Sequence, residues 1–298
     1  MKGHWQRAWV VGLMRVMACL PLPWLHRLGK GLGWLALRIP SRNRRNARTH
    51  WRICFPELTE SERGKNLRAS LSHAGQGLLE LGWLWLNPVE RVLGQIREER
   101  GTDQIRQRPA GQGLIVLSPH LGAWELAGLY LATQGPLTTF YRPQPLIDDL
   151  IRTARARTGA TLAATDAAGV RRLYEALKRG EMVGILPDQE PKSLQGACFA
   201  PIFGIPALTM LLVARLARTT GAGVLFLFAE RLPAGQGFCL HCLPAPERIA
   251  AEDPLIAASA LNQGVEACIR VCPEQYQWTY PRFRRRPEGV PKRYSGPL

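Results

Sequence analysis

From Arg100 onward, short apolar runs alternate with helical stretches, and this alternation restricts the folds open to the chain more than any other feature. The candidate strands are Leu114–Ser118, Leu137–Tyr141, Met182–Pro187, Val224–Ala229 and Phe238–Cys242. Candidate helices fill Trp124–Gln134, Ile147–Gly159, Ala167–Arg179, Ala207–Thr219 and Pro254–Val271. Strands buried on both faces read as unbroken apolar runs, and parallel neighbours need a crossover long enough to be a helix. The pattern therefore predicts an α/β fold with a largely parallel central sheet flanked by helices. No internal repeat or low-complexity tract interrupts it.

In open α/β sheets ligands bind outside the carboxyl ends of the strands. Those ends carry His120, then Tyr141-Arg142, Asp188-Gln189-Glu190 and Glu230-Arg231, so parallel strands would gather these polar groups on one edge. His120 is the most informative of them, because Leu114-Ile115-Val116-Leu117 runs into Ser118-Pro119-His120 and Glu125 follows as a helix begins. Histidine accepts a proton near neutral pH, and a carboxylate on its other ring nitrogen fixes the tautomer and stabilises the imidazolium. Such a pair can activate a hydroxyl. The spacing alone is a weak signal: with six histidines and 23 acidic residues it arises by chance about once in two chains of this length. Residues five apart on a regular helix point roughly 140° away from each other. His120 is therefore expected on the loop that Pro119 favours, with Glu125 in the first helical turn, where the macrodipole favours its ionised form.

At 298 residues the chain can hold one large α/β domain and an N-terminal appendage. A formal net charge of +16 implies an anionic partner. The basic residues concentrate in Arg38, Arg42, Arg44, Arg45, Arg48 and Arg52, and again in Arg282, Arg284, Arg285, Arg286, Lys292 and Arg293. Nucleic acid is not the expected partner, since no helix-turn-helix, zinc finger or RNA-binding aromatic motif is present. The first cluster follows a Trp- and Leu-rich stretch, Ala8 to Leu37, where attraction to anionic headgroups adds most to membrane binding. Arg15, Pro21, Pro23, His26, Arg27 and Lys30 interrupt that stretch. Its longest uncharged run before His26, Val16 to Leu25, is shorter than the roughly 20 apolar residues that a membrane-spanning helix needs. Trp5, Trp9, Trp24 and Trp34 suit an interface. Residues 1–40 are accordingly expected to form an apolar helical membrane anchor lying in or dipping into one leaflet, with the α/β domain in 41–298. Arg15 also breaks the apolar core that a signal peptide requires.

Seven cysteines, an odd number spread along the chain, do not make a disulfide framework, and a reducing compartment is the simplest reading. Cys239-Leu240-His241-Cys242 has a metal-like look, but no second paired cluster accompanies it, so strand cysteines and no metal are expected. The chain has no Gly-x-Ser-x-Gly elbow and no phosphate-binding loop, and Gly29, Gly31 and Gly33 lack both dinucleotide-site spacing and a preceding strand. Upstream, Thr59-Glu60-Ser61-Glu62 offers a capping-box start for a helix running to about Trp85, where Asn87-Pro88 ends it.

In this order, a series of stretches resembles the late acyltransferases of lipid A biosynthesis, within the bacterial lysophospholipid acyltransferase group that carries a His-x4-Asp/Glu motif. The stretches are Arg44-Arg45-Asn46 to Cys54-Phe55-Pro56-Glu57-Leu58, His120 to Glu125, Tyr141-Arg142-Pro143, Asp188-Gln189, Pro201-Ile202-Phe203-Gly204-Ile205-Pro206-Ala207, and Pro273-Glu274-Gln275-Tyr276-Gln277-Trp278 with Arg282-Phe283. Two places depart from the family pattern: Ile202 stands where a second phenylalanine is usual, and Tyr280-Pro281 where a histidine is common nearby.

The resemblance implies a glycerolipid acyltransferase-like fold. It also implies transfer of a fatty acyl chain from acyl carrier protein to a hydroxyl of a lipid A precursor, at the cytoplasmic face of the bacterial inner membrane. His120 and Glu125 become the catalytic pair, with His120 taking the hydroxyl proton and Glu125 orienting it. Arg142 is the candidate for an acceptor phosphate or the developing oxyanion. Asp188 is the candidate for holding Arg142 or a sugar hydroxyl, and Gly204 with Pro206 for a tight turn near the site. Trp124, with Leu78, Leu81, Trp83 and Trp85, is the candidate lining of an acyl groove. No cofactor or metal is expected, because a thioester already has a good leaving group and a general base suffices. The positive charge suits an acidic carrier protein, a phosphorylated acceptor and an anionic membrane surface. The alternatives are acylation of another membrane lipid (a lysophospholipid, ornithine lipid or glycolipid), thioester hydrolysis, and a non-catalytic basic protein docked on membranes.

Overall fold

The apolar runs pair into a seven-stranded sheet in the order β1-β9-β8-β2-β5-β3-β4. Its strands are β1 (Ile96–Arg100), β2 (Leu114–Leu117), β3 (Leu137–Tyr141), β4 (Thr161–Ala164), β5 (Met182–Ile185), β8 (Gly223–Arg231) and β9 (Phe238–Pro244). The computed structural model from which these elements are read describes residues 2–144, 147–291 and 293–294, and Lys292 of the second basic cluster lies outside them. From β8 through β2, β5 and β3 to β4 every pairing is parallel. β9 then runs antiparallel to β8, and β1 parallel to β9, so one edge of the sheet is reversed.

Leu114 to Leu117 of β2 are all buried, as an unbroken apolar run at the centre of a sheet should be. Along β8 the side chains alternate between two core layers. Phe226 and Phe228 join Trp51, Leu173 and Leu261 on one face, while Leu225, Leu227 and Ala229 join Trp83, Leu126 and Phe238 on the other. The helices are α1 (Lys2–Cys19), α2 (Leu22–Arg38), α3 (Arg42–Cys54), α4 (Glu60–Leu86), α5 (Val89–Leu93), α6 (Trp124–Ala132), α7 (Asp148–Ala156), α8 (Ala167–Lys178), α9 (Leu212–Thr220) and α10 (Pro254–Val271). α4 begins at the capping box on Thr59 and Glu62 and stops at Asn87.

Two expectations need correction. The helix placed at Ala207–Thr219 starts only at Leu212, because Ala197–Ile202 (β6) and Ile205–Met210 (β7) form a separate antiparallel hairpin. Its two-residue turn, Phe203-Gly204, has positive φ at both positions, 50° and 69°. Such primed turns match strand twist and favour glycine.

The expected N-terminal membrane anchor is not borne out. Among the described residues no helix is long and apolar enough to cross a membrane. The segment instead breaks at Pro21 into two helices, and α2 buries Leu22, Leu25, His26, Gly29 and Gly33. A Cβ on Gly29 would stand 2.5 Å from the Gln76 Cα, and one on Gly33 2.4 Å from the Ser72 Cα. The glycines that looked like a failed nucleotide motif are thus the contact face that lets α2 lie directly on α4.

Candidate active site

β2 ends at Leu117, and the loop that follows is tied down residue by residue. The His120 carbonyl accepts from the Gln277 N–H at 3.0 Å, and the Gly122 N–H donates to the Gln275 carbonyl at 3.2 Å. The Ala123 N–H donates to the Ala229 carbonyl at 2.8 Å, and Arg231 Nη2 donates to the Gly122 carbonyl at 2.9 Å. Gly122 has φ 58°, and a Cβ there would lie 2.0 Å from the Ala229 oxygen, so only glycine fits. The loop that carries His120 is therefore fastened to the carboxyl end of β8 and to Gln275 and Gln277.

His120 takes its carboxylate from Asp188, just beyond β5. Its N–H donates to Asp188 Oδ2 at 3.1 Å, and its Nδ1 lies 2.9 Å from Asp188 Oδ1. Burial opposes ionisation of Asp188, but the His120 charge and hydrogen bonds outweigh it and hold the carboxyl below its ordinary value. An ionised Asp188 can only accept, so Nδ1 carries the proton and Nε2 is left as the basic nitrogen. Gln189 agrees with this tautomer: its Nε2 is 3.1 Å from His120 Nε2 and 3.1 Å from Gln277 Oε1, one amide hydrogen for each. Burial and then the Asp188 carboxylate push the Tyr276 phenol well above its ordinary value, so it stays protonated beside that carboxylate.

Glu125 stands in the first turn of α6 and does not bond to His120. Its Oε1 accepts from Arg155 Nη2 at 2.5 Å, and its Oε2 accepts from Arg155 Nε and from Trp85 Nε1, each at 3.1 Å. Burial works against its charge, but Arg155 dominates and lowers the carboxyl below its ordinary value. A partly buried ion pair therefore sits beside the histidine, with the Arg155 side chain 21% exposed.

Two cavities meet there. A groove of about 540 Å³ is lined by His120, Arg142, Arg155, Gln189 and Lys192. An apolar slot of about 60 Å³ runs inward past Trp85, Trp124, Glu125, Leu131 and Gly184. Arg155 and Leu186 line both. The ring of Trp124 lies 5.2 Å from that of His120.

Of the residues marked in the sequence, His120, Asp188, Glu125, Trp124 and Arg142 come together around this junction. Arg142 is exposed and has no ionic partner among the described residues, and Asp188 bonds to His120 rather than to it. Gly204 lines neither cavity, being at the tip of the β6–β7 hairpin. Trp85 borders the slot, whereas Leu78 is exposed and Trp83 packs in the core. Arg155 is the residue that sequence reasoning missed. It is one of four arginines between Arg152 and Arg171, and no local spacing distinguishes it.

A carboxylate-paired histidine at the carboxyl end of parallel strands, between a groove lined by Arg142, Arg155 and Lys192 and an apolar slot, fits the acyltransferase class. The chain belongs to the bacterial lipid A biosynthesis acyltransferase family, whose family model matches residues 2–285. It is 35% identical over 297 residues to the lipid A biosynthesis lauroyltransferase of Escherichia coli K12, an alignment covering 98% of this chain and 95% of that one. It is 30% identical to the palmitoleoyltransferase of the same organism, with 98% and 95% covered. The myristoyltransferase is 25% identical, with 97% and 90% covered.

Proposed function

We propose that the protein transfers a fatty acyl chain from an acyl carrier protein thioester to a hydroxyl of a lipid A precursor. The observation that carries this reading is the meeting of groove and slot at Arg155 and Leu186, with His120 on the groove side. The acceptor's phosphates and sugar lie in the groove against Arg142 and Lys192, where a guanidinium can bind an oxyanion in a bidentate fork. The donor's acyl chain enters the slot past Trp124 and Trp85. An acceptor hydroxyl replaces the Gln189 amide at His120 Nε2, which takes its proton as the oxygen attacks the thioester carbonyl. Asp188 holds the tautomer and offsets the imidazolium charge.

Glu125 acts one step away. It fixes Arg155 at the junction, where the guanidinium opposes the charge that develops on the carbonyl oxygen. The carrier thiolate then leaves with the proton from His120. Contact with the anionic, cytoplasmic surface of the inner membrane is peripheral in this reading and is drawn by the basic surface around Arg38, Arg42, Arg44, Arg48 and Arg52.

The test is reconstitution with a panel of acyl carrier protein thioesters and a lipid A precursor, reading product mass. The precursor should gain one acyl chain, and His120→Ala should lose about 10²-fold or more in turnover with its fold intact. Thiol release without an acceptor would make the protein a thioesterase. Acylation of a lysophospholipid or ornithine lipid in place of the precursor would refute the acceptor.

A further inference from the structure

The reversed edge of the sheet carries a side-chain cluster that acyl transfer does not use. Antiparallel pairing sets Glu230 opposite Cys239 and Phe228 opposite His241. Cys239 and His241 are alternate residues and project from the same face of β9. One carboxylate oxygen of Glu230, Cys239 Sγ and His241 Nε2 all lie within 4.8 Å of one another. Glu230 Oε2 is 2.8 Å from His241 Nε2. On the other flank of β9, β1 places Glu98 beside Cys239, with its Oε2 3.9 Å from the sulfur. Cys239 and His241 are buried, while the Glu230 side chain keeps 26% of its surface exposed and leaves a path from solvent. Cys242, the other sulfur of the Cys239-Leu240-His241-Cys242 run, packs in the opposite core layer. The sequence run therefore misdirects: the donors are alternate residues of one strand plus carboxylates from its two neighbours.

We propose that Cys239, His241, Glu230 and Glu98 form a zinc site that cross-links β1, β9 and β8. One thiolate, one imidazole and two carboxylates are the donor types zinc takes, and four of them complete a tetrahedral, closed site. Zinc bonds of about 2.0–2.3 Å put tetrahedral donors roughly 3.5 Å apart, so rotamer adjustments suffice for the three clustered donors, and Glu98, which approaches Cys239, turns in to complete the set. On binding, the Cys239 thiol releases its proton to solvent. The Nε2 proton that His241 donates to Glu230 is released to solvent as the ring takes up one on Nδ1, which leaves the Nε2 lone pair and the Glu230 oxygen free for the metal. Two carboxylates and a thiolate leave one negative charge over the zinc, which Arg100 offsets from 2.6 Å beside Glu98. Phe228 stacks on His241 at 4.9 Å and 6° and fixes the plane of the ligand ring.

The test uses the full chain, stripped with a chelator and titrated with zinc, then with cobalt. One zinc per chain should survive desalting, cobalt should give thiolate-to-metal absorption, and the thermal midpoint should rise with added zinc. Cys239→Ser and His241→Gln should each weaken binding about 100-fold or more, and Glu98→Gln about 10-fold. Cys242→Ser should bind as the wild type does. Zinc binding unchanged in Cys239→Ser or His241→Gln would overturn the site. If those variants fail to fold, the wild type alone decides, and cobalt binding without thiolate absorption overturns the proposal.

Discussion

Two histidines of this protein are joined to buried carboxylates, and only one of them faces a groove. His120 shares a proton with Asp188 through Nδ1 and turns Nε2 to the groove. His26, on α2, is bonded through Nε2 to Glu80 of α4, and neither residue reaches solvent. Arg231 closes that second network, donating from Nε to Glu80 Oε2 at 2.7 Å and from Nη2 to the Gly122 carbonyl. Both histidines are paired with a carboxylate, and the open face on the second nitrogen, which the proposed base needs, belongs to His120. The sealed network has a mechanical role instead, because it joins α2, α4 and β8 and grips the loop that carries His120.

The sharpest way to break this contrast is to neutralise each carboxylate in turn. Asp188→Asn should cost about 10²-fold or more in turnover, since the amide can donate to Nδ1 and put the ring proton on the wrong nitrogen. Its folding stability should fall far less than its rate. Glu80→Gln should do the reverse. It leaves the buried Arg231 guanidinium without its counter-charge, which costs about 3–5 kcal/mol of stability in urea titrations. Turnover per folded molecule should drop by less than tenfold. A Glu80→Gln enzyme as stable as the wild type but as slow as Asp188→Asn would show that the two networks are one catalytic unit.

The same contrast explains what could be read from the chain beforehand. His120 was legible because its strand is an unbroken apolar run and Pro119 fixes a loop after it. Asp188 and Gln189 were legible as strand-end groups, but their bond to His120 depends on β5 lying next to β2, a neighbour relation set by tertiary packing. Glu125 was paired with the wrong partner because proximity in sequence says nothing about Arg155, which arrives from α7. β1 was missed because Ile-Arg-Glu-Glu-Arg is a charged edge strand with no apolar run to mark it. The N-terminal anchor was misjudged for a related reason: exposed tryptophans stand out in a sequence, while the contact face of α2 is made of glycines, which composition scales pass over.

A smaller effect sharpens the comparison through pH. His73 lies beside the sealed network, and burial, then the Arg231 charge, lower its pKa to about 4. The unfolded chain takes up this proton near pH 6.5 and the folded chain does not. Above pH 6.5 the group contributes no pH dependence; below it, stability falls as pH falls, at up to about 1.4 kcal/mol per unit, until about pH 4. His50, buried between the Trp278 carbonyl and the Tyr294 hydroxyl, is likewise lowered to about 4, chiefly by burial, and adds a slope of the same sign. His73→Gln should recover about 1–2 kcal/mol of the stability that the wild type loses between pH 7 and pH 5, measured by urea unfolding at each pH. The pH profile of turnover, corrected for the folded fraction, should not move, because in the proposed reaction the proton is taken by His120 and not by the sealed network. A shift in that profile would mean that the charge state of the sealed network reaches the base through the grip of Arg231 on Gly122.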